Sequence, residues 1–129
     1  LAVIIADTDV LIDFLAGKAP GADRVEDELN RGALYTTVIS RFELISGSKS
    51  PKQIEKIERL LAALKTLTLD ETSADRAAEI RRHLDQKGNG IGMADSLIAG
   101  IVLEHGAHLL TRNDRHFTRV QGMKLSRWD

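Results

Sequence analysis

Strand-like and helix-like segments alternate along the 129 residues, which predicts an α/β protein: a three-layer α/β/α sandwich around a mostly parallel central sheet. Three observations carry this expectation. The chain opens on an unbroken apolar run, LAVIIA, closed by Asp7, the pattern of a strand buried on both faces as in a parallel sheet. Further short strand-like runs, ALYTT, KTLTL and AHLLT, are separated by stretches with helical pattern. No internal repeat, low-complexity tract or linker divides the chain, so residues 1–129 read as one domain.

In order, TDVLIDFLAG reads as a helix behind the first strand. GKAPG breaks the chain, Pro20 suits the first turn of a second helix running to Asn30, and Gly32 ends it. ALYTT is a strand, VISRFELISG a helix stopped by Gly47, and Pro51 opens a helix through KQIEKIERLLAAL. Ile54, Ile57, Leu60, Leu61 and Leu64 line one face of that helix, for core or dimer packing. KTLTL is a third strand. ETSADRAAEIRRHLDQKG is a helix with an acidic first turn and basic residues further on, as the helix dipole favours. GNGIG is a loop, MADSLIAGIVLEHG an apolar helix and AHLLT a strand; NDRHF is a short turn or helix before a last extended segment near MKLSRW.

Composition then limits the chemistry. A net charge of -1 means that any nucleic-acid contact must come from local Arg/Lys clusters rather than a global field. The opening apolar run is far below the roughly 18 residues of a membrane span and no basic segment precedes it, so a soluble cytoplasmic protein with no membrane partner is the expectation. With no cysteine, thiolate catalysis, thiolate zinc sites and disulfides are excluded, which leaves carboxylate, histidine and hydroxyl groups and favours a hard metal.

In open α/β sheets ligands bind beyond the carboxyl ends of the strands. Asp7 stands at such an end, as do Thr111, Asn113 and Asp114 after AHLL. In VISRFELISG the spacing puts Ile39, Glu43 and Ser46 on one face beside an apolar stripe of Val38, Phe42 and Ile45, so Glu43 borders the buried face. Asp95 shares a face with Ile98 and Val102 in the first turn of its helix, where the positive helix end favours an anion. An acid on an apolar face needs a cation, a salt bridge or a raised pKa. Singly, an Asp before a helix is an ordinary N-cap and a lone Glu an ordinary solvated residue. Jointly they point elsewhere: carboxylates within ~4 Å repel by about 4 kcal/mol per pair at an effective dielectric near 20, so a cluster persists only with protons or metal. Oxygen donors without thiolates select Mg²⁺ or Mn²⁺ over zinc. Thr8 and Thr111 can bond phosphate, orient carboxylates or simply cap. Arg112, Arg115, His116 and Arg119 form either a phosphate-binding patch or a solvated basic face. His83, His105 and His108 lack ligand spacing and read as structural, and Trp128 as packed on the core.

The opening strand with DTDVLIDFL, then TTVISRFELISG, GMADSLIAG and LLTRNDRHF, resembles the PIN-domain nucleases, and especially the VapC-type toxins of bacterial toxin–antitoxin pairs, from Ile4 to Trp128. The resemblance implies that Asp7, Glu43 and Asp95 form the family's metal-binding acidic triad, with Mg²⁺-dependent cleavage of single-stranded RNA as the activity. Two positions depart from the pattern. Asp9 stands where many relatives have Ser or Asn, and the fourth acidic position holds Asn113 followed by Asp114, either of which fills it. The expected reaction is phosphodiester hydrolysis in which a cation lowers the pKa of the attacking water. Asp7 and Asp95 are expected as direct ligands, Glu43 as ligand or water-positioning base, and Asp114 as a supporting or second-metal ligand. The resemblance also implies a small antitoxin partner and a homodimer.

Two other readings are weighed. IIADTDVLID also fits the D-x-D strand end of haloacid-dehalogenase-like phosphatases, but their downstream Lys and G-D-x-x-x-D motif are not placed convincingly. A receiver-like signalling or binding module would put a phosphoacceptor Asp after the third strand, where Asp70 stands, but no Lys-Pro pair occurs.

Overall fold

A computed structural model of the chain describes residues 2–126 and 128; Leu1, with which the expected first strand opens, Arg127 of the expected last extended segment and Asp129 lie outside the described residues. Five strands, β1 (Ile4–Ala6), β2 (Leu34–Thr37), β3 (Lys65–Leu67), β4 (His108–Leu110) and β5 (Lys124–Leu125), form a sheet in the order β3-β2-β1-β4-β5. Every pairing is parallel, with Ile4 opposite Leu34 on one side and His108 on the other. The helices are α1 (Thr8–Ala16), α2 (Gly21–Asn30), α3 (Val38–Ser46), α4 (Pro51–Ala62), α5 (Glu71–Gln86), α6 (Met93–Glu104) and the short α7 (Asp114–Phe117). No helix among the described residues is long and apolar enough to cross a membrane.

Alternation along the strands splits the core in two. Ile4, Ala6, Leu34 and Leu110 pack with Val10, Leu11, Val25, Leu44, Ile57 and Leu60 under α1 to α4, whereas Ile5 and Leu109 pack with Leu84, Ile98, Val102 and Phe117 under α5 to α7. These are the two outer layers of the predicted sandwich. The α4 face holds at Ile57, Leu60, Leu61 and Leu64, all buried, while Ile54 is exposed. Trp128 packs against the first core cluster, as expected. The layer of α5 and α6 is drawn tight at Gly100, where a Cβ would stand 2.5 Å from the Ser73 carbonyl oxygen and 2.8 Å from the Ala77 Cβ.

The α3 stripe requires a correction. Phe42 is 70% exposed and Ile45 is exposed too, whereas Ser40 and Leu44 are buried. The buried face of α3 is rotated away from the apolar stripe because its inner positions carry Ser40 and, at the N-cap, Thr37, whose hydroxyl accepts from the Ser40 N–H. Polar residues occupy the inside here because the inside of this helix faces the site.

The sheet order reverses at β1: the chain goes outward through β2 and β3, then returns to place β4 on the other flank. The crevice beyond β1 and β4 is the topological switch point, the position at which doubly wound sheets bind ligands.

Candidate active site

Asp7 ends β1 at this switch point and Thr111 ends β4 beside it, the two strands being tied by the Asp7 N–H donating to the Leu110 carbonyl at 2.9 Å. Asp7 is also the N-cap of α1: its Oδ1 accepts from the Thr8 N–H at 2.8 Å. Its Oδ2 accepts from the Thr111 hydroxyl at 2.7 Å. Capping and site membership are therefore one geometry. Even so, burial pushes the Asp7 carboxyl up to about 7, with the charges of Asp9 and, less strongly, Asp95 adding to the effect against the two hydrogen bonds.

Asp9 lies in the first turn of α1. Its Oδ2 accepts from the Arg112 N–H at 3.0 Å, while its Oδ1 is buried without a hydrogen-bond partner. Burial raises its pKa as well. Asp95, in the first turn of α6, is half-buried, with Oδ2 3.0 Å from His116 Nδ1 and 3.3 Å from Asn113 Nδ2. Asn113 Nδ2 also lies 2.9 Å from His116 Nδ1, so Asp95, Asn113 and His116 form one triangle of contacts in which the imidazole tautomer sets whether Nδ1 donates to the carboxylate or accepts from the amide. Glu43 comes from α3; its Oε1 accepts from the Thr8 hydroxyl at 2.7 Å, and the same hydroxyl lies 2.9 Å from Ser40 Oγ.

The structure thus joins Asp7, Asp9, Thr8, Thr111, Asn113, Asp95 and Glu43 through one set of contacts. It does not place every candidate there. Asp114 is the exposed first residue of α7, with no hydrogen bond to the acids among the described residues, and of the two neighbours it is Asn113 that reaches Asp95. Arg112 is held by Asp13, Nε to Oδ2 at 2.6 Å. Arg115 is exposed, and Arg119 turns away to the carbonyl oxygens of Asn89 and Gly90.

Sequence reasoning missed two parts of the site. Asp13 is buried and fixes Arg112, whose own N–H holds Asp9; Gly21 leaves room for it, since a Cβ there would lie 2.6 Å from Asp13 Oδ2. An acid four residues after Asp9 on an apolar helix was the available signal. His116, expected as a phosphate contact or a solvated cation, pairs instead with Asp95; its spacing of three from Asn113 puts both on one side of a helical turn.

Do these residues fit a divalent cation? Among the described residues no three His, Asp or Glu side chains form a ready-made cage. That suits an ion which keeps several waters and takes only one or two carboxylates, as Mg²⁺ does. The partnerless Asp9 Oδ1, and the burial and neighbouring charges that raise Asp7, both mark a centre short of positive charge. The donor set fits a hard, hydrated cation held by Asp7 and Asp95 with Asp9 beside them.

Comparison with known proteins gives the same frame. The PIN domain family matches residues 4–123. The tRNA(fMet)-specific endonuclease VapC of Shigella flexneri is 29% identical over 126 residues, covering 95% of each chain. Ribonuclease VapC10 of Mycobacterium tuberculosis is 33% identical over 122 residues, 95% of this chain and 91% of that protein. In structure, a chain of the DNA-bound VapBC from Salmonella typhimurium superposes with a TM-score of 0.85 at 27% identity, over 100% of both chains. With the family matching nearly the whole length and a relative one-third identical across it, this chain belongs to the PIN-domain family, among the VapC proteins.

Proposed function

We propose that the chain is a divalent-cation-dependent endoribonuclease, the toxin of a toxin–antitoxin pair that works in the cytoplasm where its RNA substrate is. The observation that carries the reading is the carboxylate cluster at the switch point, buried Asp7 with half-buried Asp9 and Asp95, in which burial and the neighbouring negative charges hold Asp7 near a pKa of 7. The relatives support it, one being named a tRNA(fMet)-specific endonuclease and another a ribonuclease. No nucleophilic side chain is needed for the reaction, and nothing in the cluster favours a phosphatase or a receiver module.

Mg²⁺ or Mn²⁺ bound at Asp7 and Asp95 would supply the positive charge that acidifies a water and neutralises the phosphate. The chain's own residues do the rest. Thr111 and the Thr8 N–H fix both oxygens of Asp7 in one orientation, and His116 with Asn113 fixes Asp95. Glu43, set by the Thr8 hydroxyl, presents a carboxylate that can take a proton from water at its other oxygen. The leaving oxygen takes its proton from solvent.

An antitoxin segment fits a groove of about 390 Å³ between α1, α3 and α4, lined by Ile12, Leu15, Leu44, Ile57 and, at its end, Glu43. A peptide with apolar residues in this groove and a basic side chain reaching Glu43 and Asp95 would replace the cation's charge without its chemistry. The exposed Phe42 and Met93, 70% and 63% exposed, flank the site and are the surface proposed for a homodimer.

The test is incubation of a mixed RNA pool with Mn²⁺ or with chelator, followed by mapping of the cut sites. Defined cuts with Mn²⁺ alone support the reading; intact RNA in both arms overturns it.

A further inference from the structure

A depression of about 680 Å³ lies away from the acids, lined by Arg76, Arg82, His83, Arg119 and Lys124 with Glu79 as the single carboxylate. Four permanent cations against one acid leave a local excess of three positive charges in a chain whose net charge is -1. Part of that charge is engaged: Arg76 stands 3.7 Å from Glu104, and Arg119 donates to the carbonyl oxygens of Asn89 and Gly90 without losing its charge. Arg82 and Lys124, from α5 and β5, have no ion pair or side-chain hydrogen bond among the described residues. Like charges gathered from separate elements around a concave wall repel one another, and the concavity focuses their field on an anion from outside. Leu84, Leu103 and Val120 make an apolar floor beneath them, a surface for a base next to cations for its phosphate.

The position is as informative as the charge. Gly106 and Ala107 precede β4 and Gly122 precedes β5, so the depression sits at the amino-terminal end of these parallel strands, whereas Thr111 and the acids sit at the carboxyl-terminal end. From Ala107 to Thr111 the chain runs ~13 Å at the usual rise of a strand. We propose that this groove binds the phosphate backbone of the RNA substrate at a distance from the cleaved bond, so that longer RNA is held at both ends of the sheet. The inference rests on the nuclease reading for the identity of its ligand, and its test does not require cleavage.

The variant is Arg82→Gln/Lys124→Gln, with Lys18→Gln/Lys52→Gln as a control that removes the same charge from other exposed positions. Binding of a fluorescein-labelled 20-nucleotide single-stranded RNA is measured in chelator over a salt series. Loss of two phosphate contacts lowers the slope of log K against log salt by about 1.4, at ~0.7 per contact for single strands. The control keeps the wild-type slope. Equal slopes for the wild type and the groove variant overturn the proposal, as does an equal fall in the control, which reports net charge alone. An acidic occupant of protein origin is read by polyglutamate: displacement of the RNA from the wild type at lower concentration than from the variant assigns the groove to a protein and overturns the RNA assignment. Adenosine monophosphate that loses affinity in the variant while the 20-mer does not would assign the groove to a free nucleotide, and this too overturns the RNA assignment. Failure of the nuclease reading is seen separately, as RNA left intact with Mn²⁺.

Discussion

Asp7→Asn should make the cation-free protein more stable at alkaline pH while disabling it. Asparagine conserves the shape, still caps α1 by accepting from the Thr8 N–H, and can meet the Thr111 hydroxyl with its amide. What it removes is the charge. The native carboxyl of Asp7 is held at about 7 against an ordinary 3.8, so the folded protein binds this proton more tightly than the unfolded chain. The stability contributed by the protonated form is fully present below pH 3.8 and is lost as pH rises through about 7. At about 1.4 kcal/mol per pH unit, the full window amounts to about 4 kcal/mol, of which roughly 2 to 3 kcal/mol falls between pH 5 and 8.5. Urea unfolding of wild type and Asp7→Asn in chelator, at pH 5 and pH 8.5, reads it as the change in their difference. The variant should gain on the wild type by that amount at the higher pH. A difference that stays constant with pH, or a variant that loses ground as pH rises, would refute the reasoning that burial and crowding strain Asp7.

Three further outcomes follow from the contacts. Asn113→Ala and His116→Ala should each weaken Mn²⁺ binding by roughly 10- to 100-fold in calorimetry, as loss of a ligand's supporting partner does, and Asp114→Ala should leave it unchanged; the reverse order would move the site by one residue. Arg112→Ala leaves the buried Asp13 without its partner and should cost ~1–3 kcal/mol in urea unfolding, whereas an unchanged midpoint would show that the pair contributes nothing. Phe42→Glu should abolish the proposed homodimer and leave a monomer by light scattering, and a dimer that survives it uses another surface.

Most of the fold was legible because the inner strands of a parallel sheet are apolar, as LAVIIA and AHLL are, and the mixed runs ALYTT and KTLTL stand out as strands between helical stretches. Asp7, Asp95 and Asn113 were legible for a related reason: strand ends and helix first turns are where such a sheet opens. The phase of α3 was not. Its inner positions hold Ser40 and Thr37 because they serve the site, so apolar periodicity pointed at Phe42 and Ile45, which are exposed. Pairing was also hidden. Nothing in the order of residues says that Arg112 turns to Asp13, 99 positions earlier, rather than to a phosphate, or that His116 folds back onto Asp95. Such contacts are fixed by how the β4–α7 turn meets α1 and α6, and only three-dimensional placement shows them.

The proposed function depends on a divalent cation binding between Asp7 and Asp95. Because Asp7 is held at about 7, a cation that binds its ionised form must displace a proton from most molecules at pH 6 and from few at pH 8.5. Mn²⁺ titration calorimetry in buffers of different ionisation enthalpy counts these protons. About one proton released per site at pH 6, nearly none at pH 8.5, and the loss of both binding and release in Asp7→Asn is the result predicted by linkage. Mn²⁺ that binds at pH 6 without releasing a proton, or binds Asp7→Asn as tightly as the wild type, would contradict a cation site at these acids.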